Sequence, residues 1–473
     1  MKKLFILFLI AANVTVFSQT KQQVINDIQK RQAEYSSIAM DIWKYAEVGY
    51  QEYKSSELLQ QTLKKEGFSV TAGVAEIPTA FVATFGSGKP VIGILGEFDA
   101  LPGLSQAAKP EKESLNGVAG HACGHHLFGV GSAAAAIAVK DWMKKTGQKG
   151  TVKFYGTPAE EGGSGKVYMV RDGLFNGVDV VLHWHPGSGN SANASSSLAN
   201  KSGKFRFYGR SAHAAASPEN GRSALDGVEA MTHMINMMRE HVQEDSRIHY
   251  VITSGGKAPN VVPDFAELYL YVRHPNRTNV KEMWEWMENI AQGAAQGTGT
   301  RVESEVLGGV YELLPNETLA KVMHSNMNKV GGYVLTPEEV AFANKILPTP
   351  GMFKSTLDAT NTIEELKLES SANGGSTDVG DVSWAVPTVG CRTATWVPGT
   401  PAHSWQAVAA GGTNIGVKGM MIAAKTIALS AIDLFQNQEL IDKATVEFKA
   451  KTGGDFKYES LLGDRKPALN YRN

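Results

Sequence analysis

Thr79–Phe85, Val91–Leu95 and Thr151–Tyr155 are short, mainly apolar runs that each end at a Gly, and Val178–Leu182 is a fourth that ends at His183. Strands of this kind are buried on both faces, and a chain achieves that by laying helices over a sheet. Helical patterns at Ala133–Lys145 and Lys166–Arg171 separate some of the runs. Val24, Ile28, Ile38, Ile42, Trp43 and Ala46 give a helical spacing ahead of them, repeated over Ser55–Lys65 before Gly67. The expected fold is α/β, with a central mixed sheet flanked by helices.

A shift to Ser, Asn, Lys and Gly over 195–203 interrupts this scheme. Beyond it the pattern is strand (Phe205–Tyr208), helix (Leu225–His241), two strands (His249–Thr253, Phe265–Arg273), helix (Lys281–Gln292) and strand (Arg301–Val306), a compact α+β unit. Helical periodicity returns past Pro315, and the apolar helix Val417–Phe435 closes the series. The sequence therefore divides into a leader at 1–18, a first part of the main body at 19–197, an inserted unit at 198–312, a second part of the main body at 313–436 and a charged extension at 437–473 without a visible site.

Lys2 and Lys3, the apolar run Leu4–Phe17 and then Ser18 follow the order of a secretory signal cleaved after Ser18, so a periplasmic or secreted protein is expected. The run is short of the ~20 residues that span a bilayer, and no later segment is read as long enough, so no membrane partner is expected. With 46 Lys+Arg against 47 Asp+Glu the chain has no field to attract a polyanion, which removes nucleic acid as a partner. Two cysteines, Cys123 and Cys391, exclude a disulfide scaffold, although one bridge between them stays open.

His121-Ala122-Cys123-Gly124-His125-His126 sets three imidazoles and a thiol between a Gly-rich loop and an Ala-rich helix. In extended backbone, positions two apart face the same way, so Cys123 and His125 can share a divalent ion such as zinc. Glu160-Glu161 follows the strand ending at Tyr155 and precedes Gly162-Gly163. Adjacent carboxylates diverge there, so one can bind metal while the other carries the proton of a water. His183 and His185 share a face at the end of another strand, and His403 lies in the loop 398–404. From the residues alone, either strand histidine could ligate.

The chain resembles the co-catalytic metallopeptidases that include aminoacylases, indole-acetyl-amino-acid hydrolases and aminobenzoyl-glutamate hydrolases. The resemblance covers about residues 40 to 436 and rests on the stretches 96–103, 121–125, 158–163, 209–214 and 376–382. The continuation 101–106, Ser376–Val382 and Trp184–Gly187 look most like the aminobenzoyl-glutamate branch. It implies two divalent ions (Zn or Mn), with Cys123 bridging, His125, Glu161, His185 and His403 completing the ligand set, and Glu160 as base. His185 is preferred to His183 because the family's ligand falls six positions after the strand Asp, here Asp179. Asp99 and His183 fall outside the direct ligand set, and His126 stands where relatives often carry Asp or Asn. The resemblance also makes the insertion a lid and dimerisation domain, with His213, Asn260 and Arg273 holding substrate, and so implies a homodimer.

The implied reaction is hydrolysis of an N-acyl or N-aroyl amino acid, or a small dipeptide, with a free carboxylate, at two metals about 3.5–4 Å apart. Two other readings compete. A secreted, non-catalytic peptide- or metal-binding protein would lack the base or a ligand, and a Cys123-dependent hydrolase would leave Glu160, Glu161 and His403 without a task.

Overall fold

The computed structural model describes residues 21–347, 356–368, 372 and 374–472, so the expected leader at 1–18 lies outside the described residues. Residues 21–30 and Gln32–Tyr45 form helices broken at Arg31, and helix Tyr53–Lys65 follows. The main sheet contains β1 (Ser69–Ala72), β2 (Phe81–Ser87), β3 (Val91–Gly96), β6 (Gly150–Gly156), β7 (Val180–Gly187) and β12 (Thr388–Ala394). Between β3 and β6 a two-stranded ladder, β4 (Leu101–Pro102) and β5 (Ala119–Gly120), lies outside it.

The order across the main sheet is β1-β2-β6-β3-β7-β12. β6, β3, β7 and β12 are mutually parallel, whereas β1 and β2 pair antiparallel at one edge. The parallel strands are buried on both faces because helices cover them. His125–Thr146 packs close to the sheet along Ala133–Ala136, beside Asn414–Gln436. Side chains such as Phe154, Leu182, Trp184 and Leu429 are fully buried, each stabilising the fold by roughly 1.5–3 kcal/mol. Helix Asn414–Gln436 is long and apolar enough to cross a membrane, contrary to the sequence expectation, but nearly all of its apolar stretch is packed inside the protein.

The second sheet is antiparallel, in the order β11-β8-β10-β9, built from β8 (Ala199–Tyr208), β9 (Arg247–Ser254), β10 (Phe265–His274) and β11 (Arg301–Val310). Helices Ala224–Met238 and Arg277–Thr298 cover it, and Phe205, Phe207, Leu268, Leu270, Trp284 and Met287 form a separate core. Both helices start where a side chain accepts an otherwise unpaired backbone N–H: Ser223 from Asp226, and Asn276 from Thr278. The mixed α/β body interrupted by an α+β insertion agrees with the fold read from the sequence.

Candidate metal centre

Because four strands run parallel, their carboxyl ends open on one edge of the sheet, where α/β proteins place their ligands. Glu97 and Asp99 follow β3, Glu160 and Glu161 follow β6, His185 lies near the end of β7, and His403 is in the loop after β12. Cys123 and His125 arrive at the same edge from the start of helix His125–Thr146. Gly124 turns between them at φ 77°, and a Cβ there would lie 2.7 Å from Pro186.

Two three-donor groups result, Cys123–His125–His185 and Cys123–Glu161–His403, with the donor atoms of each group within 4.8 Å of one another. The sulfur is common to both. Cys123 Sγ lies 3.4 Å from His185 Nε2, and His403 Nε2 lies 3.3 Å from Glu161 Oε1. His185 donates its Nδ1–H to the Pro186 carbonyl at 2.7 Å, which leaves Nε2 as the lone-pair nitrogen facing the sulfur. His125 donates from Nδ1 to Asp99 at 2.9 Å, and Asp99 also accepts the Glu161 N–H at 2.9 Å. Asp99 thus aligns one donor from each group.

The donors suit a pair of divalent cations. Thiolate, imidazole and carboxylate are the ligand types that zinc and similar ions take, and the buried His125 Nε2 and Glu161 Oε1 make no hydrogen bond of regular geometry, facing only Glu97 Oε2 at 3.1 Å and His403 Nε2 at 3.3 Å. Burial raises the Cys123 thiol well above its ordinary range, with the Glu161 charge adding to the effect. The sharing of Cys123 between the two donor groups brings Glu161 and His403 to the sulfur, an arrangement for which the Cys-dependent reading has no task. Both cysteines are unpaired, so the possible Cys123–Cys391 bridge is not formed. Burial drives the His185 pKa well down, assisted by the Arg392 charge, and keeps the ring neutral and able to ligate. The Glu161 carboxylate beside it raises that of His403.

Glu160 belongs to a third group with Glu97 and His125. Burial, followed by the charges of Glu97 and Glu161, raises its carboxyl well above the usual range. Its loop is strained: Ala159 (φ 58°) and Ser164 (φ 59°) occupy the left-handed region, as does His403 (φ 56°). Glu52 helps to hold it. This buried carboxyl accepts from Ala159 N at 2.8 Å and Thr79 Oγ1 at 3.0 Å, and burial plus the nearby Asp99 charge raises its pKa to about 8.

The remaining sequence candidates lie elsewhere. His183 is half-buried and packs over Gly390, and the desolvation of its ring lowers its pKa to about 3, whereas His126 donates from Nε2 to the Gly411 carbonyl at 3.0 Å. His213 and Asn260 are exposed and adjacent on the inserted unit, where Ala214 N donates to Asn260 O at 3.0 Å. Arg273, half-buried at the end of β10, donates to Ser376 Oγ at 3.0 Å. Among the described residues no hydrogen bond or ion pair joins His213 or Asn260 to the donor groups.

Sequence reasoning missed Glu97, Lys166 and Asp378. Lys166 Nζ lies 2.6 Å from Glu97 Oε1 and 2.7 Å from Asp378 Oδ1, all three fully or almost fully buried, and Glu97 Oε2 lies 3.1 Å from His125 Nε2. The i, i+2 spacing of Glu97 and Asp99 after an apolar strand was the signal for Glu97. Nothing local pointed to a buried Lys166.

Residues 199–298 match the model of the M20 peptidase dimerisation domain. A subunit of the p-aminobenzoyl-glutamate hydrolase of Escherichia coli K12 is 41% identical over 90% of this chain and 94% of its own length. Xaa-Arg dipeptidase of Homo sapiens is 28% identical over 88% of each chain. Among solved structures, an aminobenzoyl-glutamate utilization protein from Klebsiella pneumoniae superposes with a TM-score of 0.62 at 17% identity, covering 87% of this chain and 98% of that one. A dinuclear metal-binding M20 peptidase from Bacillus subtilis gives 0.58 at 18% identity, covering 86% and 99%. The chain belongs to the M20 family of dinuclear metal-dependent peptidases and amidohydrolases, and is a hydrolase of amide bonds.

Proposed function

We propose that the chain is an exported amidohydrolase that cleaves N-acyl or N-aroyl amino acids with a free carboxylate, of which p-aminobenzoyl-glutamate is the model substrate, and that it uses two zinc or manganese ions. Small dipeptides fit the same chemistry. The observation that carries this reading is the sharing of Cys123 between two three-donor groups with the Glu160 carboxyl alongside.

When bound, the two cations act as Lewis acids that acidify water and polarise the amide carbonyl. His125 and His185 with Cys123 would hold one ion, and Glu161 and His403 with Cys123 would hold the other. Asp99 fixes the His125 ring and the Glu161 backbone, so the two sides keep register. Glu160, whose carboxyl sits beside His125 at the edge of the donor groups, takes the proton of the attacking water and returns it to the departing amine nitrogen. His213 and Asn260 approach the substrate from the inserted unit. Arg273 pairs with the substrate carboxylate through its planar guanidinium.

Self-association through the inserted unit is part of the proposal. β9 is an edge strand with Val251 and Ile252 exposed, and Met234 and Met237 are exposed on helix Ala224–Met238. A homodimer would cover them. The bacterial relative is named as one subunit of an enzyme, so the mass of the purified chain in solution belongs in the same set of measurements.

The decisive test is Glu160→Gln on the purified chain loaded with manganese or zinc. Hydrolysis of p-aminobenzoyl-glutamate is expected to fall by about 10²–10⁴-fold, the range for loss of a general base, while two metal equivalents per chain are retained. Full activity in the variant would refute the assignment.

A further inference from the structure

The extension that carried no visible site in the sequence ends against the catalytic loop. After helix Gln438–Thr452 the chain crosses from the inserted unit to the main body. Tyr458 donates to Asp381 Oδ1 at 2.6 Å, Leu461 is buried against Gly309 at the end of β11, and Arg171 donates to the carbonyls of Gly463 (3.1 Å) and Arg465 (2.7 Å). Gln51 then donates to Leu469 O at 2.9 Å. Finally Tyr471 donates its hydroxyl to the Glu161 carbonyl at 3.1 Å, and the Arg472 guanidinium donates to the same oxygen.

That contact is built rather than incidental. The Tyr471 ring meets Tyr50 edge-on, with centroids 5.5 Å apart, and the Arg472 guanidinium lies 4.8 Å from the Tyr471 ring centre. Tyr50 in turn donates to Gly163 O at 2.7 Å, and a Cβ on Gly49 would fall 2.2 Å from the Tyr471 oxygen. Two donors on one carbonyl occupy both of its lone pairs. The peptide they hold joins Glu161 to Gly162, within a loop whose Ala159, Gly162 and Ser164 all have positive φ. Strained backbone of this kind persists only where its surroundings over-determine it.

We infer that Tyr471 and Arg472 are positioning residues of the metal centre: the C-terminal strap locks the Glu161–Gly162 peptide and so sets where the Glu160 and Glu161 carboxylates point. The inference rests on the roles proposed for those two carboxylates. Its geometric part does not. A misplacement of about 1 Å at a reacting group costs on the order of 10²-fold in rate, so an unlocked peptide is felt in turnover before it is felt in substrate affinity.

The test uses the full chain with Tyr471→Phe and Arg472→Ala combined, beside a chain ending at Ala468 and the single variant Arg472→Lys. Three readouts are taken: amide hydrogen exchange over residues 157–165, metal affinity by chelator competition, and kcat against KM. The double variant should exchange this loop at least about 10-fold faster, as loss of local restraint requires. It should bind one of its two metal equivalents about 10-fold more weakly, the scale seen when a residue supporting a ligand is lost. Its kcat should fall at least about 10-fold with KM nearly constant, and Arg472→Lys should recover part of that loss. Unchanged exchange and metal affinity in the folded double variant would overturn the inference. If the unmodified chain hydrolyses no amide but loop exchange and metal affinity still respond, the strap stands and the proposed reaction falls.

Discussion

At the scale of single residues, the centre depends on charges that would be costly if left alone. Lys166 is fully buried between Glu97 and Asp378, and its own backbone N–H also reaches Asp378 Oδ2 at 2.9 Å. Replacing it by Met leaves two buried carboxylates without their cation, and breaking a buried pair in this way costs about 3–5 kcal/mol. Lys166→Met is therefore expected to lower stability by that amount in urea unfolding. A loss below ~1 kcal/mol would mean that the neighbouring acids are neutral in the folded protein. The donors themselves were legible because they cluster or fall at period two: Cys123 with His125, Glu160 beside Glu161, His183 and His185. Lys166 was not, since a lysine on a short helix reads as a solvated side chain until the fold sets two acids over it.

At the scale of elements, β7 and β12 illustrate how one strand selects the orientation of another's side chains. β7 carries two histidines on one face, yet only His185 turns toward Cys123. His183 packs across Gly390, whose parallel partner it is, and a Cβ there would lie 2.3 Å from the imidazole. Gly390→Ala should destabilise the sheet by about 1–3 kcal/mol, the usual cost of overpacking a core. Combining it with His183→Ala should return part of that loss, measured as a double-mutant cycle. Additive losses would show that the ring and the glycine do not compete for space. The sequence made β3, β6 and β7 readable through their apolar continuity. It hid β12, where Gly390 and Arg392 break the run, because that strand is defined by its neighbour more than by its own composition.

At the scale of the whole molecule, the two sheets are joined where Asp381, Tyr311 and the strap residue Tyr458 meet. Asp381 accepts from Tyr311 N at 3.0 Å and from the Tyr458 hydroxyl, and burial raises its carboxyl pKa to about 7 from an ordinary 3.8. A raised acid favours its protonated form in the folded state. Its contribution to stability is therefore complete below pH 3.8 and is lost as the pH rises through about 7. Asp381→Asn should flatten the stability profile between about pH 4 and 7, where one such group contributes a slope of up to ~1.4 kcal/mol per unit. Denaturant midpoints across that interval would reveal it, and an unchanged slope would place the titration elsewhere. The insertion was visible in the sequence as a change of pattern near 195–203, but the path of the strap was not. Its hydrogen bonds mostly pair its own carbonyls with side chains far away in the chain, among them Gln51, Tyr168, Arg171 and Tyr311, and these leave no periodicity behind.

The spread of the donors has a consequence for biogenesis. Cys123 and His403 belong to one centre, yet the whole α+β insertion is synthesised between them. A nascent chain that has emerged only through the insertion holds four of the five donors and cannot close the second trio. On the proposed ligand set, Cys123, His125 and His185 are all made early enough to hold a first ion, whereas capture of the second is deferred until the loop after β12 brings His403 to Cys123 and Glu161.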